Sequence, residues 1–446
     1  MKTGSIYQLD GRVSLKQAIP LGMQHVLSMF VGNVSPLIIV CGLLQMPAEQ
    51  KTMLIQNAMF IAGIVTLIQL YPIWKVGAGL PIVMGTSSGF VPTVQATAVT
   101  FGYSSVMGAS LIGALLEIIL GFFIKPLKKY FPPVVTGVVV ISIGLSLIPT
   151  GIKFFAGGVG AKDFGSPSNL FLGFLVMAII IFLMQFTKGF AKTSAILIGI
   201  IVGYIVAIFM GKVDFSGVAT AGWISVPRPF VFGFDFKIEV IIPMVIMYIA
   251  TAVETIGDVS GITVGGLDRD ATDRELSGAV LADGVGSFIA ACFGILPNTS
   301  FSQNVGLVAM TKVVNKFAIM TGAIFLILSG FIPKLGAIVS AVPQSVLGGA
   351  SIIMFSMIAV SGMQLVFKQN MNGRNSIIIA VALGLGFGLG SVPDALQHLP
   401  NWIKLIFSQS GIVVSFIVAA VMNFILPKEK LEESIKFSID KEELVS

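Results

Sequence analysis

The sequence predicts an all-α polytopic membrane protein with fourteen transmembrane segments, folded as two inverted sets of seven. Three observations carry this expectation. Of the 446 residues, 55% are hydrophobic and only 11% charged, whereas soluble domains are about one-quarter charged. Apolar runs able to cross a bilayer, which takes about 20 residues, recur along the whole chain. Segments of the first half return in the second at nearly constant separation.

The runs lie near 18–45, 54–74, 80–99, 104–124, 134–152, 170–187, 193–211, 238–263, 276–294, 299–313, 317–333, 338–363, 375–391 and 409–427. The third and tenth are short and open on Leu-Pro, at Leu80-Pro81 and Leu296-Pro297. Each therefore reads as a half-helix preceded by a short extended strand. With the N-terminus in the cytoplasm, nineteen of the 27 Lys and Arg fall on inside segments, among them Lys125, Lys128, Lys129, Lys188, Lys192, Arg269, Arg274 and Lys368. The outside segments hold the rest, including Lys51, Lys162, Lys212 and Lys404. That asymmetry is what a multi-pass protein of the cell membrane with both termini cytoplasmic requires. The longest polar connection, about 212–237, then lies outside and divides the runs seven and seven. Seven is odd, so the second repeat must be inverted. Pro132-Pro133-Val134-Val135-Thr136-Gly137 returns as Pro343-Gln344-Ser345-Val346-Leu347-Gly348, 211 residues later. Gly79-Leu80-Pro81 returns as Ile295-Leu296-Pro297, 216 residues later.

Composition also excludes. A net charge of +6 would suggest nucleic acid in a soluble protein, but here the basic residues are spread over loops, and no nucleic-acid partner is expected. The stretch MKTGSIYQLDGR is polar and the first apolar run too long for a cleavable signal peptide. Cys41 and Cys292 both lie in apolar segments, and His25 and His398 are the only histidines. Neither a disulfide framework nor a metal site is expected, and no cofactor or enzymatic activity.

The most informative stretch is Leu296–Lys312, which sets Asn298, Thr299, Ser300, Ser302, Gln303 and Asn304 between long apolar runs. Amides and hydroxyls facing lipid would lack partners at considerable cost. Lining a cavity, they can bond a polar, neutral ligand, as in a transporter. Paired broken segments in inverted repeats point to a site at the membrane midplane.

The eighth run carries Glu254 and Asp258 on one helix face, with Thr251 and Thr255 nearby. The ninth carries Asp283 between Ala282 and Gly284. Intramembrane carboxylates are candidates for function; the alternative, a capping or helix-tying acid, weighs most for Asp258. Glu117, alone in the fourth run with no polar neighbours, reads as structural. His25, beside Gln24, reads as a hydrogen-bonded packing residue ahead of a proton carrier. Three acids against one histidine leave an excess of buried negative charge that favours proton uptake. Proton coupling follows, with sodium the alternative on these residues. In the third run, Gly85, Thr86, Ser87, Ser88 and Gly89 permit extended backbone able to meet a ligand opposite Gln303; close helix packing by small residues is the other reading. Phe90 reads as lipid-facing or packing. Asp268, Asp270 and Asp273, alternating with Arg269 and Arg274, read as a solvated loop.

Gln303-Asn304-Val305-Gly306 followed by Thr311-Lys312 resembles the signature of the nucleobase–ascorbate transporter family: an amide or acid, Asn, one residue, Gly, four residues, Thr and a basic residue. Gln24-His25, Glu254 with Asp258, Asp283 twenty residues before Gln303, Phe131–Gly137 and Ile143–Pro149 also look like family segments. The resemblance runs from about 14 to 427. It implies a core domain (14–126 and 236–335), a gate domain (127–235 and 336–427) and a cytoplasmic tail (428–446), in a homodimer working by an elevator-like motion. It further implies a substrate held between the third and tenth spans by Glu254 and Gln303 and by backbone near Ser88 and Ser302, with Ser87 adjacent. Asn304 braces the site, and Asp283, Asp258 and His25 support it or the proton path. Gln at 303 is typical of purine members and Glu of uracil members, so the resemblance implies import of a purine nucleobase, xanthine foremost, by proton symport. One departure is Ser88, where family members often carry an aromatic residue; Phe90 is the candidate to compensate.

The chemistry agrees. Xanthine and urate present alternating ring N–H and C=O groups, which a Gln amide meets with two bonds. An ionised Glu254 accepts from ring N–H in a stronger, charge-assisted bond. Ligands without those groups would leave buried partners unpaired. The rivals are a uracil or urate permease of the same fold, an anion transporter, which Glu254 argues against, and a magnesium-dependent membrane transferase built on Asp268–Glu275, which lacks a second acidic cluster. A channel is disfavoured, since no pore-lining ring repeats.

Overall fold

A computed structural model describes residues 5–124, 132–367, 371–399, 407 and 411–427. Lys125, Lys128, Lys129, Phe131, Lys368, Lys404 and the tail 428–446 lie outside the described residues. The apolar runs are helical, as α1 (Leu15–Leu43), α2 (Ala48–Leu70), α3 (Val91–Phe101), α4 (Tyr103–Phe122), α5 (Pro133–Phe155), α6 (Pro167–Phe186) and α7 (Ala195–Phe209). The second half supplies α8 (Ile238–Leu267), α9 (Asp273–Cys292), α10 (Ser302–Thr311), α11 (Lys316–Ser329), α12 (Gln344–Phe367), α13 (Gly373–Ser391) and α14 (Gly411–Ile425). Among the described residues nine helices are long and apolar enough to cross a membrane, ten when a bent pair is counted as one span. The shorter helices are α3, α7, α10 and α14.

Helix ends follow local chemistry. The second run stops at Leu70, short of the expected residue 74, because Tyr71 precedes Pro72 and is pushed out of the α region. The run expected at 338–363 is also displaced. After α11 the chain turns by 88° into a short helix, Pro333–Ser340, and α12 begins only at Gln344. Pro333 and Pro343 lack the N–H that a helix interior needs and instead mark starts. A capping box joins Thr272 and Glu275 at the start of α9.

Two short strands cross at the centre. β1 (Met84–Thr86) and β2 (Asn298–Ser300) pair antiparallel in the register Met84↔Ser300, Gly85↔Thr299, Thr86↔Asn298. Their anchoring is alike. Thr66 Oγ1 in α2 accepts from Met84 N at 3.0 Å, and Ser287 Oγ in α9 accepts from Asn298 N at 3.0 Å. Asn33 Oδ1 in α1 takes Thr86 N at 2.8 Å and Thr86 Oγ1 at 3.0 Å, while Asp258 in α8 takes Ser300 Oγ at 2.6 Å.

Helix packing shows the same correspondence. α4 packs on α8 and α9, as α11 packs on α1 and α2; α6 packs on α7 and α12, as α13 packs on α14 and α5. α5 and α12 cross each other closely: a Cβ added at Gly362 would lie 2.5 Å from Ile141 N and 2.8 Å from Gly137 O. Small residues allow this in membrane helices, where attraction is mostly packing. The connection 210–237 is strapped down from α2, where Gln56 Nε2 donates to Ser225 O at 2.9 Å and Asn57 Nδ2 to Arg228 O at 3.3 Å.

Candidate substrate site

Each strand runs straight into a helix start. After β1, Ser87 Oγ accepts from Gly89 N at 3.3 Å, capping a 3-10 turn, Ser88–Phe90, that leads into α3. After β2, Phe301 precedes α10, whose first turn contains Ser302 and Gln303. The first N–H groups of a helix have no intrahelical acceptor and carry a partial positive charge. Both starts line one cleft, which Glu254 enters from α8; Ile143 of α5 and Ile358 of α12 form its apolar wall. Ser87, Ser88, Glu254, Ser302 and Gln303 all border this cleft.

Their side chains are not equally free. Ser302 Oγ donates to Asp258 Oδ1 at 2.8 Å, and Ser87 Oγ is engaged in its cap. What Ser302 can offer a ligand is backbone. Among the described residues no side-chain or backbone donor is bonded to Glu254, and the amide of Gln303 has no protein partner. An acceptor and an amide stand unclaimed in one cleft, beside two helix N-termini.

The supporting residues lie behind it. Asp258 holds Ser300 and Ser302, tying α8 to β2 and α10. Thr255 donates to Asp283 Oδ2 and lies 3.4 Å from Ser300 Oγ. Asn304 Nδ2 is 3.0 Å from His25 Nδ1 and donates to His25 O at 3.1 Å, so His25 and Asn304 brace α1 against α10. A cavity of about 320 Å³ adjoins the cleft through Ser302, Gln303 and Ile358, and reaches Lys192, Ser361 and Gln364.

Two expectations are corrected. Phe90 packs, as one of its two readings had it, fully buried with its ring edge-on to Tyr248 at 4.8 Å between centroids, and so does not line the cleft to compensate for Ser88; the small Gly113 under Tyr248 makes room for this packing. Glu117 does have polar neighbours, Asp283 and Thr251, supplied by helices distant in sequence. Sequence reasoning missed Asn33, whose carboxamide in an apolar run was a readable signal, and Ile143 and Ile358, for which no signal existed. Two of the acids on this loop are paired: Lys312 Nζ meets Asp268 Oδ1 at 2.9 Å, and Arg269 meets Glu275 at 2.9 and 2.5 Å. Among the described residues no group of three or more His, Cys, Asp or Glu is arranged to hold a metal.

The xanthine/uracil permease profile, described as Permease family, matches residues 16–395. The chain belongs to this family. It is 37% identical to the Xanthine permease of Bacillus subtilis over 92% of this chain and 93% of that one. It is 35% identical to Xanthine permease XanP of Escherichia coli over 95% of each, and 36% identical to Uric acid permease PucK of Bacillus subtilis over 94% and 98%. Among solved structures, the transmembrane domain of the cyanobacterial bicarbonate transporter BicA matches at a TM-score of 0.58 and 15% identity, over 89% of this chain and 97% of that one. SLC26A9 matches at 0.61 and 12%, over 90% and 65%. These two establish a shared fold only. This permease is therefore a multi-pass membrane protein.

Proposed function

We propose that this permease imports a purine nucleobase, xanthine foremost, across the cell membrane by proton symport. The carrying observation is the pair of unclaimed groups, Glu254 and Gln303, between two helix N-termini. The carboxylate accepts from ring N–H, the amide bonds a neighbouring N–H and C=O, and backbone N–H near Ser88 and Ser302 receives the remaining carbonyls. The relatives named xanthine permease support the same ligand. A urate cargo is the second reading, favoured by the relative named uric acid permease. The fold neighbours include a bicarbonate transporter, and helix N-termini alone would suit an anion; Glu254 in the cleft disfavours one.

Asp258, Asp283, His25 and Asn304 act in this reading as supports of the site and of the proton path. Fourteen spans in two inverted sets of seven, with both termini cytoplasmic, are supported by the matched strand anchors and by the matched helix-packing pairs. α1–α4 with α8–α11 then form a core domain, and α5–α7 with α12–α14 a gate. The core slides past Ile143 and Ile358 in an elevator-like motion, in a homodimer. The cavity toward Lys192, a residue assigned to the inside, suits an inward-facing state. Uptake of radiolabelled xanthine, in competition with urate, guanine, hypoxanthine and uracil, tests the assignment. Strong competition by xanthine and urate with none by uracil is expected; preferential competition by uracil would reject the purine reading.

A further inference from the structure

The space large enough for a bicyclic base lies beside the cleft. The cleft between the two helix starts is about 30 Å³, room for a water or two. The adjoining cavity is about 320 Å³, the size of sites that take small organic ligands. The two share Ser302, Gln303 and Ile358, whereas Ser88 and Glu254 border only the cleft. In this conformation a purine therefore fits next to the cleft, with Gln303 bordering both spaces.

Two helix faces build that cavity. On α12, Met354, Met357, Ile358, Ser361 and Gln364 line it, and their spacing of three and four residues puts them on one face. That face runs from the apolar wall of the cleft at Ile358 to polar groups about 9 Å further along the helix axis. On α10 the facing surface is opened by Gly306, where an added Cβ would meet nothing within 4 Å. Met184 and Met310 complete a sleeve of thioethers, flexible side chains that pack well against an aromatic ring. At the far end Lys192 and Gln364 stand with no ion pair or side-chain hydrogen bond among the described residues. Ser361 Oγ donates to Met357 O at 2.9 Å and keeps its acceptor pairs.

The polar ends of the two spaces are opposite in kind. In the cleft, Glu254 accepts from ring N–H; in the cavity, Lys192 can only donate, and it donates as a cation. Oxidised purines carry both sets of groups, ring N–H and carbonyls, around one flat molecule. We infer that the cavity is a second station for the base, where Lys192 and Gln364 receive its carbonyls once it has left Glu254. Gln303, on the border of both, keeps one edge of the base in reach during the transfer. Urate, an anion at neutral pH, is favoured there over hypoxanthine, which is neutral and has a single carbonyl. Lys192 is thus a specificity residue at a place the cleft does not reach. The inference rests on the purine reading above, and its test separates the two.

The test is thiol labelling of the purified protein in detergent, with Cys41→Ala and Cys292→Ala removing the native thiols. Ser361→Cys on α12 and Ser28→Cys on α1 each place a probe on the cavity wall. Ser216→Cys, exposed on the connection after α7, is the control. Urate is expected to slow maleimide labelling at 361 and 28 but not at 216, and to go on doing so when Glu254→Gln has weakened the cleft. In Lys192→Gln the urate concentration giving half protection should rise roughly 3- to 10-fold, with Lys192→Arg restoring it and protection by hypoxanthine changing less. Protection that disappears with Glu254→Gln would overturn the inference, since the thiols would then be shielded only through the cleft. Equal slowing at 216 would overturn it as a change of the whole protein, and so would equal weakening of urate and hypoxanthine in Lys192→Gln. Purine uptake by wild type with no protection at either thiol rejects the station alone. A wild-type protein that neither binds nor takes up a purine rejects the purine reading, and the station with it.

Discussion

The two strand–helix units at the centre share one backbone design and differ in chemistry. In the first, Asn33 holds Thr86 and Thr66 holds Met84; in the second, Asp258 holds Ser300 and Ser287 holds Asn298. One helical turn before each anchor, the first unit has Met29 and Ala62 where the second has Glu254 and Asp283. The first unit thus supplies backbone and a buried apolar backing, and the second supplies Glu254 in the cleft with Asp258 and Asp283 behind it. A strand–helix break needs only anchors and small residues, so it can occur twice. A carboxylate in a membrane interior is costly unless it binds something, which is why the proposed site is centred on the second unit.

The sharpest way to break this asymmetry is to exchange its charged and apolar members. Glu254→Gln keeps the shape but removes the charge, and a charged hydrogen bond to a ligand is worth about 1.5–3 kcal/mol. Xanthine affinity should fall by roughly 10- to 100-fold, with near-complete loss of uptake and normal membrane insertion. Met29→Leu, at the matching position, conserves volume and should leave uptake near wild type. Wild-type transport in Glu254→Gln would remove that residue from the site.

The anchors should behave alike where the acids do not. Asn33→Ala leaves the buried Thr86 N–H without its acceptor, a cost of about 1–3 kcal/mol, read as a lower Tm in detergent. Asp258→Ala should cost as much, because Ser300 and Ser302 both lose their acceptor, and should also reduce uptake. A stability loss confined to one of the two would break the correspondence.

Smaller effects test the crossing itself. A Cβ at Gly85 would lie 2.6 Å from the Phe301 ring and 2.9 Å from Asn33 Oδ1, so Gly85→Ala should destabilise by about 1–3 kcal/mol through overpacking. Gly306, within α10, has nothing within 4 Å of such a Cβ, and Gly306→Ala should be neutral or gain up to about 1 kcal/mol from helix propensity. Thermal melts of the two variants separate these outcomes.

The sequence made the apolar runs, the broken third and tenth segments and the polar residues between them readable, because membrane helices announce themselves by length and their polar exceptions by rarity; Glu254 and Gln303 do border one cleft. Long-range partners were less readable. That Glu117 is buried in the seam of α8 and α9, or that Phe90 packs on Tyr248, depends on which glycines let α4 approach α8 and α9. The break before α12 was mistaken because the apolar run continues through Pro333–Ser340 while the backbone direction does not. Ser302 was legible as a site residue, but not that its hydroxyl is given to Asp258.

The account depends most on the contact between Gln303 and the base. Gln303→Glu keeps the side-chain length, replaces the amide donor with an oxygen and adds a second carboxylate close to Glu254. Like charges held together favour sharing a proton, which returns some donor capacity in acid. The direct measurement is inhibition of xanthine uptake by a series of xanthine analogues at neutral and acidic pH, in wild type and in Gln303→Glu. The predicted result is weaker xanthine uptake at neutral pH, partial recovery on acidification, and a shift of preference toward analogues with additional N–H groups. An unchanged inhibition profile at both pH values would show that this side chain does not touch the base, and would contradict the proposed site.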